Sequence, residues 1–214
     1  MAAPETVSIF GAAFFGHTEI VRMLVDNGAD VDARNGRGET LVWIAAEWDR
    51  TETVRMLLDN GADVDARNER GETPVWIAAE RGRTETVRML LERNANPNLV
   101  DEQHKSPVWI AACEWHTEIV RLLLNKHADP NMPDIHCEAP VCVAARAGDT
   151  DTVRLLLRRN ANPNIRVDDG STAVWHAAYH GHTEVVRLLV DKGADLEIQV
   201  EGKTPVSFLI QRKL

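Results

Sequence analysis

Three cysteines and eight histidines are the side chains of this 214-residue chain best suited to nucleophilic or metal chemistry. Cys113, His136, Cys137 and Cys142 fall in one stretch of the sequence. A zinc site would need four ligands within roughly 2.0–2.3 Å of one ion, and this spacing matches no standard zinc pattern. The plainer reading is a set of buried or half-exposed thiols. His176 and His180 are spaced i, i+4 and share a helix face, but no third ligand or paired acid accompanies them. No Ser-His-Asp arrangement and no phosphate-cradling glycine loop is present. The expectation is a protein with no catalytic residues, no cofactor and no metal.

Composition narrows the class further. The chain is 44% hydrophobic and 27% charged, as in ordinary soluble domains. No apolar run approaches the roughly 18–20 residues of a membrane span, and Met1 to Thr6 has neither a basic start nor an apolar core of the secretory kind. The odd cysteine count does not suggest a disulfide framework, so an intracellular location, cytoplasmic or nuclear, is expected. The formal charge of −9 argues against nucleic acid as a partner and mildly favours a basic one.

Elements able to position any site are set by a repeat. Ala-Ala recurs at 12–13, 45–46, 78–79, 111–112, 144–145 and 177–178, always at a step of 33 residues. Arg22, Arg55, Arg88, Arg121, Arg154 and Arg187 keep the same step, as do Ala29, Ala62, Ala95, Ala128, Ala161 and Ala194. In the stretch Asn68 to Val100, Arg70-Gly71-Glu72 is a turn signal. Thr73-Pro74 opens a first helix, with the hydroxyl as N-cap and proline at N1. Gly82 breaks that helix, and Thr84 is placed to cap a second one. There Val87, Leu90 and Leu91 make an apolar stripe. Asn94 ends it in the left-handed conformation, where Gly28, Gly61 and Gly193 stand elsewhere.

These units resemble ankyrin repeats over nearly the whole chain. Gly-Glu-Thr-Pro-Val-Trp-Ile-Ala-Ala (71–79), Gly-His-Thr-Glu-Val-Val-Arg-Leu-Leu (181–189) and Asn-Gly-Ala-Asp-Val-Asp-Ala (60–66) carry the match. The resemblance implies an all-α solenoid of paired antiparallel helices with β-turn loops. As one domain, 1–214, it has six repeats at 2–34, 35–67, 68–100, 101–133, 134–166 and 167–198, with a partial unit at 199–214. Thr204-Pro205 follows Thr172 by 32 residues, so one residue is missing before the last turn. The ends differ: the first unit starts at Val7 without a Thr-Pro turn, and the last has Leu209-Ile210 in place of Ala-Ala. Identical stretches at 26–35 and 59–68 beside irregular later units, with Asn-Pro-Asn at 96–98 and 162–164, suggest natural duplication rather than consensus design.

The sequence departs from the family where histidine is usual in the first helix. Trp43, Trp76, Trp109 and Trp175 stand there, with Phe10, Cys142 and Ser207 completing the column. Two readings are open: the indole is a packing group, or it forms an aromatic strip on the concave face. His17, His116 and His182 fall at the family's Gly-His position, which implies turn hydrogen bonding. Acidic residues three places before each column arginine predict a solvated ladder of i, i+3 ion pairs, Glu19, Glu52, Glu85, Glu118, Asp151 and Glu184 with their arginines.

The resemblance further implies a partner surface on the concave helix face and turn tips. Here the tips are Arg37 and Glu39, Arg70 and Glu72, Gln103 and Lys105, His136 and Glu138, and Asp169 and Ser171. The helix positions are Phe14 and Phe15, Glu47 and Trp48, Glu80 and Arg81, Cys113 and Glu114, Arg146 and Ala147, and Tyr179 and His180. Trp115 replaces a helix-ending glycine and adds an aromatic. These columns vary while the packing columns do not. The expected function is a monomeric, non-catalytic module that binds a protein, with no nucleic acid and no membrane as partner. The alternative is a structural or tethering segment of a larger multidomain protein. Phe14 and Phe15 with Trp48 are either a binding patch or residues turned inward toward missing neighbours.

Overall fold

The structure is a computed structural model that describes residues 8–211. The expected start at Val7, the stretch Met1–Thr6 and the last residues of the partial unit lie outside the described residues. Thirteen helices and two isolated bridges, Arg34 with Thr40 and Val200 with Lys203, make up the regular structure of the described residues. The fold is all-α and of the repeat-solenoid class, as expected. The chain divides into two compact blocks, residues 1–102 and 103–214.

The first block holds α1 (Ile9–Phe15), α2 (Thr18–Asp26), α3 (Leu41–Glu47), α4 (Thr51–Asp59), α5 (Pro74–Glu80) and α6 (Thr84–Glu92). The second holds α7 (Pro107–Cys113), α8 (Thr117–Asn125), α9 (Pro140–Ala147), α10 (Thr150–Arg158), α11 (Ala173–His180), α12 (Thr183–Asp191) and α13 (Pro205–Gln211). Within each block every first helix packs on its own second helix and on the first helix of the next repeat. The Ala-Ala columns explain how. All twelve of those alanines are fully buried, at 0% exposure, because only a methyl fits between helices this close. Leu57, Leu90, Leu123, Leu156 and Leu189 are the matching fully buried residues of the second helices.

Caps fix where each element begins and ends. The Thr40, Thr73 and Ser106 hydroxyls accept the backbone N–H of Trp43, Trp76 and Trp109 at 3.3, 3.3 and 3.2 Å. The second helices end differently. Gly61, Asn94, His127, Asn160 and Gly193 all have positive φ, and the alanine after each donates its N–H to a leucine carbonyl five residues back at 3.0–3.1 Å. That pairing requires the left-handed residue, which accounts for the glycine and asparagine and for the invariant alanine.

Two local expectations are corrected. Thr84 does not cap the second helix: it is its first residue, and Arg83 precedes it with no side-chain cap bond. Threonines in this column bond outward instead, Thr18 to Thr53 at 2.8 Å, Thr51 to Thr86 at 3.0 Å and Thr117 to Thr152 at 2.8 Å. Asp149 alone among these helix starts caps through its side chain, onto the Thr152 N–H at 3.1 Å. The arginine ladder forms at Arg22, Arg55, Arg88, Arg121 and Arg187, but Arg154 turns away from Asp151 to Glu184 of the next repeat, at 3.5 Å. The aspartate side chain is one methylene shorter than the glutamates of the other rungs.

Candidate functional site

Three of the tips are built around an Asx side chain, at Asn35, Asn68 and Asp134. Asn35 Oδ1 accepts the N–H of Arg37 and Glu39 at 2.9 and 3.1 Å, and Asn68 does the same for Arg70 and Glu72 at 3.0 and 2.9 Å. Asp134 repeats this for His136 and Glu138, at 2.9 Å each. The side-chain oxygen replaces the backbone partners a tight turn leaves unmet. The column Asn35, Asn68, Asp134, four residues ahead of each tip glutamate, is visible in the 33-residue step, but only the fold shows that it shapes the tips.

In the first block the amide of each asparagine also donates to the glutamate, Asn35 to Glu39 and Asn68 to Glu72, both at 2.7 Å. Glu72 is thereby drawn inward and is only 8% exposed, so this candidate rim residue is part of the wall rather than the rim. Burial pushes its carboxyl up from the ordinary value, against the pull of the Asn68 hydrogen bond and of Arg70. Arg37 and Arg70 pair with Glu39 and Glu72 only loosely, at 3.9 Å each. Arg81 bridges Glu47 at 3.1 Å and Glu80 at 3.4 Å. These groups border a cleft of about 310 Å³ that includes Trp43, Asn68 and Glu69.

A second cleft of about 400 Å³ adjoins it, walled by Phe10, Gly11, Phe14, Ile44 and Trp48 and sharing Arg37, Glu39 and Glu47. The Phe14 and Trp48 ring centres are 4.5 Å apart, and Phe15 meets Phe14 edge-on at 4.8 Å. The sequence expectation that these three aromatics lie together holds. Phe15 is 63% and Trp48 40% exposed, so neither is turned inward.

The second block presents other chemistry. Lys105 Nζ sits 4.8 Å from the centre of the Trp109 ring. Glu138, 7% exposed, lies 2.8 Å from Arg146 in an ion pair that is not aligned as a hydrogen bond. Burial raises its carboxyl pKa despite that arginine. Glu138, like Glu72, therefore lines the wall. Exposed His136 faces Asp168 at 3.7 Å. Asp169 is held below the usual carboxylate value by the Ser171 hydroxyl and N–H, and Ser171 itself is buried. Gln103 accepts the Ile135 N–H through its carbonyl at 3.0 Å, and Glu114 caps α7 from an exposed position.

Trp115 follows with φ of +64° and 61% exposure. A bulky aromatic in the left-handed region is strained where glycine would not be. Toward the end of the block Trp175 stacks on Tyr179 at 5.3 Å with planes 7° apart, and Phe208 meets both edge-on at 5.3 Å. His180 meets Tyr179 edge-on at 5.0 Å. Phe208 stands one place past Ser207, in the column of Ile44, Ile77 and His176, which is a packing column and not one of the face columns. His176 bonds Ser171 Oγ at 2.8 Å, and burial, with help from Arg146, pushes its imidazole down to about 4.

The tryptophan column resolves toward packing. Trp43, Trp76 and Trp109 are 4–5% exposed, and only Trp175 is half-buried. Trp109 and Trp175 donate their indole N–H to the Glu138 and Lys203 carbonyls of the following tips, at 2.7 and 3.3 Å. Trp43 Nε1 is buried without an acceptor. Of the Gly-His histidines, His182 makes the implied turn bond, donating to the Arg146 carbonyl at 3.1 Å. Arg50 and Arg83 do the same for Phe14 and Glu47 at 3.0 and 3.1 Å.

Cys142 is buried and its thiol pushed up to about 12, Cys113 is half-buried and raised by burial, and exposed Cys137 is raised by a hydrogen bond with Asp168. None is activated as a thiolate. Among the described residues no three His, Cys, Asp or Glu side chains gather as a metal site, and no helix is long and apolar enough to cross a membrane.

Helix pairs with a uniform interior, carrying a face that changes from repeat to repeat, define a helical-repeat protein. The chain belongs to the ankyrin-repeat family: a family model described as ankyrin repeats (3 copies) matches residues 6–68, 60–134 and 141–213. It is similar to the crystal structure of an ankyrin repeat domain from Acinetobacter baumannii AYE, at 26% identity and a TM-score of 0.83. The match covers 89% of this chain and all of that one. No curated protein matches. Ankyrin repeats are in general non-enzymatic, protein-interaction modules.

Proposed function

We propose that this chain binds a protein partner as an intracellular monomer, through the face made by its tips and the ends of its first helices, and catalyses no reaction. One observation carries this reading. The six alanine pairs repeat without change and are fully buried, while the face columns vary and leave Phe15, Trp48, Trp115 and Tyr179 exposed at 40–63%. Packing explains the first set but not the second, and exposed Trp and Tyr are efficient anchors at protein interfaces. A photo-crosslinking residue placed in turn at Trp48, Tyr179, Arg88 and Arg154 tests it in cell extract. Discrete partner adducts at Trp48 or Tyr179 and none at Arg88 or Arg154 support the face. Adducts confined to Arg88 or Arg154, on the second helices, overturn it.

A second reading, a structural or tethering segment of a longer multidomain protein, draws on the first repeat. Phe15 on α1 and Ile20 and Met23 on α2 are 63%, 38% and 63% exposed. Further repeats stacked there would cover them. Sequencing the full transcript decides: additional repeat-coding sequence upstream favours this reading, and its absence removes it.

A further inference from the structure

The two clefts of the first block are one groove with two kinds of wall, since Arg37, Glu39 and Glu47 border both. One end is apolar, closed by Phe14, Ile44 and Trp48. The other holds five carboxylates, Glu39, Glu47, Glu69, Glu72 and Glu80, against three guanidiniums, Arg37, Arg70 and Arg81. Every guanidinium there already pairs with a carboxylate, at 3.1 to 3.9 Å. The surplus is therefore negative, and it is concentrated on partly desolvated groups: Glu47 is 19% exposed and Glu72 is buried. Carboxylates in such a position attract a cation more strongly than the same groups in open water.

A separate feature points to an occupant. Trp43, 4% exposed, lines the charged end, and its indole N–H meets no acceptor. The equivalent Trp109 of the second block donates to the carbonyl of its next tip at 2.7 Å. A buried donor left unmet is unfavourable. It is relieved if the Glu72 tip closes onto it, as the Glu138 tip closes onto Trp109, and neutralising the Glu72 carboxylate with a bound cation favours such closure.

We propose that this groove takes an extended peptide segment of the partner, with a lysine or arginine among the carboxylates and a large apolar side chain against Phe14 and Trp48. In an extended chain residues i and i+2 point the same way, so the motif is apolar-x-cation or its reverse. A free polyamine would meet the carboxylates but offers nothing to the apolar end at Phe14, Ile44 and Trp48. The proposal rests on the face being the partner surface, and narrows it to one block and one chemistry.

The test pans a random heptapeptide phage library on the full chain, then measures acetylated, amidated synthetic versions of the enriched peptides by fluorescence anisotropy. The expected result is enrichment of Lys or Arg two positions from Leu, Ile or Phe. Glu47→Gln with Glu72→Gln should weaken such a peptide at least tenfold while leaving the melting temperature near that of the parent protein. Trp48→Ala should remove the preference for the apolar residue and keep that for the cation. Raising the salt should weaken the parent complex, as expected for exposed charges. Enriched peptides without a cation, peptides indifferent to both glutamine substitutions, or no enrichment at all overturn the proposal. Partner adducts at Tyr179 in the crosslinking experiment would then leave the broader surface reading standing, so the two failures are distinguishable.

Discussion

In the first block Trp43 is buried with nothing to accept its indole N–H, while in the second Trp109 occupies the same column and closes onto the Glu138 carbonyl at 2.7 Å. The contrast extends around them. The first block sets carboxylates and arginines in a network beside Phe14 and Trp48. The second sets an aromatic cluster of Trp175, Tyr179 and Phe208 beside a closely paired Glu138 and Arg146. Yet both blocks have the same alanine pairs at 0% exposure and the same leucine column. Shared alanine and leucine columns under dissimilar faces mean that close helix contact constrains those positions, while the fold leaves the face columns free to differ.

Substitutions cost most in the interior. Leu57→Ala and Leu156→Ala each remove a fully buried side chain, and each should cost about 2–5 kcal/mol in urea unfolding. If the blocks share one packing logic, the two costs are similar; a silent substitution in either block would end the equivalence. Next in size is backbone strain. Trp115 holds φ of +64° where the first block has Gly82 at +71°. Trp115→Gly should stabilise by about 1 kcal/mol, and Gly82→Ala should destabilise by about as much, since left-handed backbone costs L-residues roughly 1–2 kcal/mol. A loss of partner binding in the stabilised Trp115→Gly variant would show that the exposed indole is kept for binding at the cost of strain.

The indole contrast itself predicts a smaller difference. Trp109→Phe loses a buried hydrogen bond and should cost about 0.5–1.5 kcal/mol beyond the change in shape, whereas Trp43→Phe removes an unmet donor and should cost less. Equal losses at the two sites would mean the N–H groups are equivalent in solution. The last prediction concerns a slope. His176 has a folded pKa near 4 against an ordinary 6.5, so its contribution is present above pH 6.5 and is lost as pH falls toward 4. Glu72 and Glu138, both raised, act oppositely: their contribution is greatest in acid and falls as pH rises through their folded values. Melting temperatures of His176→Gln should therefore fall less steeply with acid than those of the parent between those two pH values.

The architecture was legible because it is written in registers. Thr73-Pro74, Ala78-Ala79 and Asn94 each say what the backbone does locally, and repetition removes the ambiguity of any single copy. The site was legible only as a set of columns. That Phe14, Phe15 and Trp48 meet could be inferred from their places in adjacent repeats. That Glu72 and Glu138 turn inward could not, because it depends on how Asn68 and Asp134 fold the tip around them. The exchange of Asp151 for Glu184 at Arg154 was hidden for a similar reason: reach across repeats depends on one methylene. Phe208 lies in a packing column, and that it closes over Trp175 and Tyr179 depends on how α13 docks on α11.

The faces can change without the interior responding. The most direct test is the partner affinity of the double variant Trp48→Ala, Tyr179→Ala, measured beside its unfolding free energy. The predicted result is at least a tenfold loss of affinity with a stability change below about 1 kcal/mol, since exposed anchors contribute to binding far more than to folding. Undiminished affinity, or a loss matched by an equal loss of stability, would contradict it.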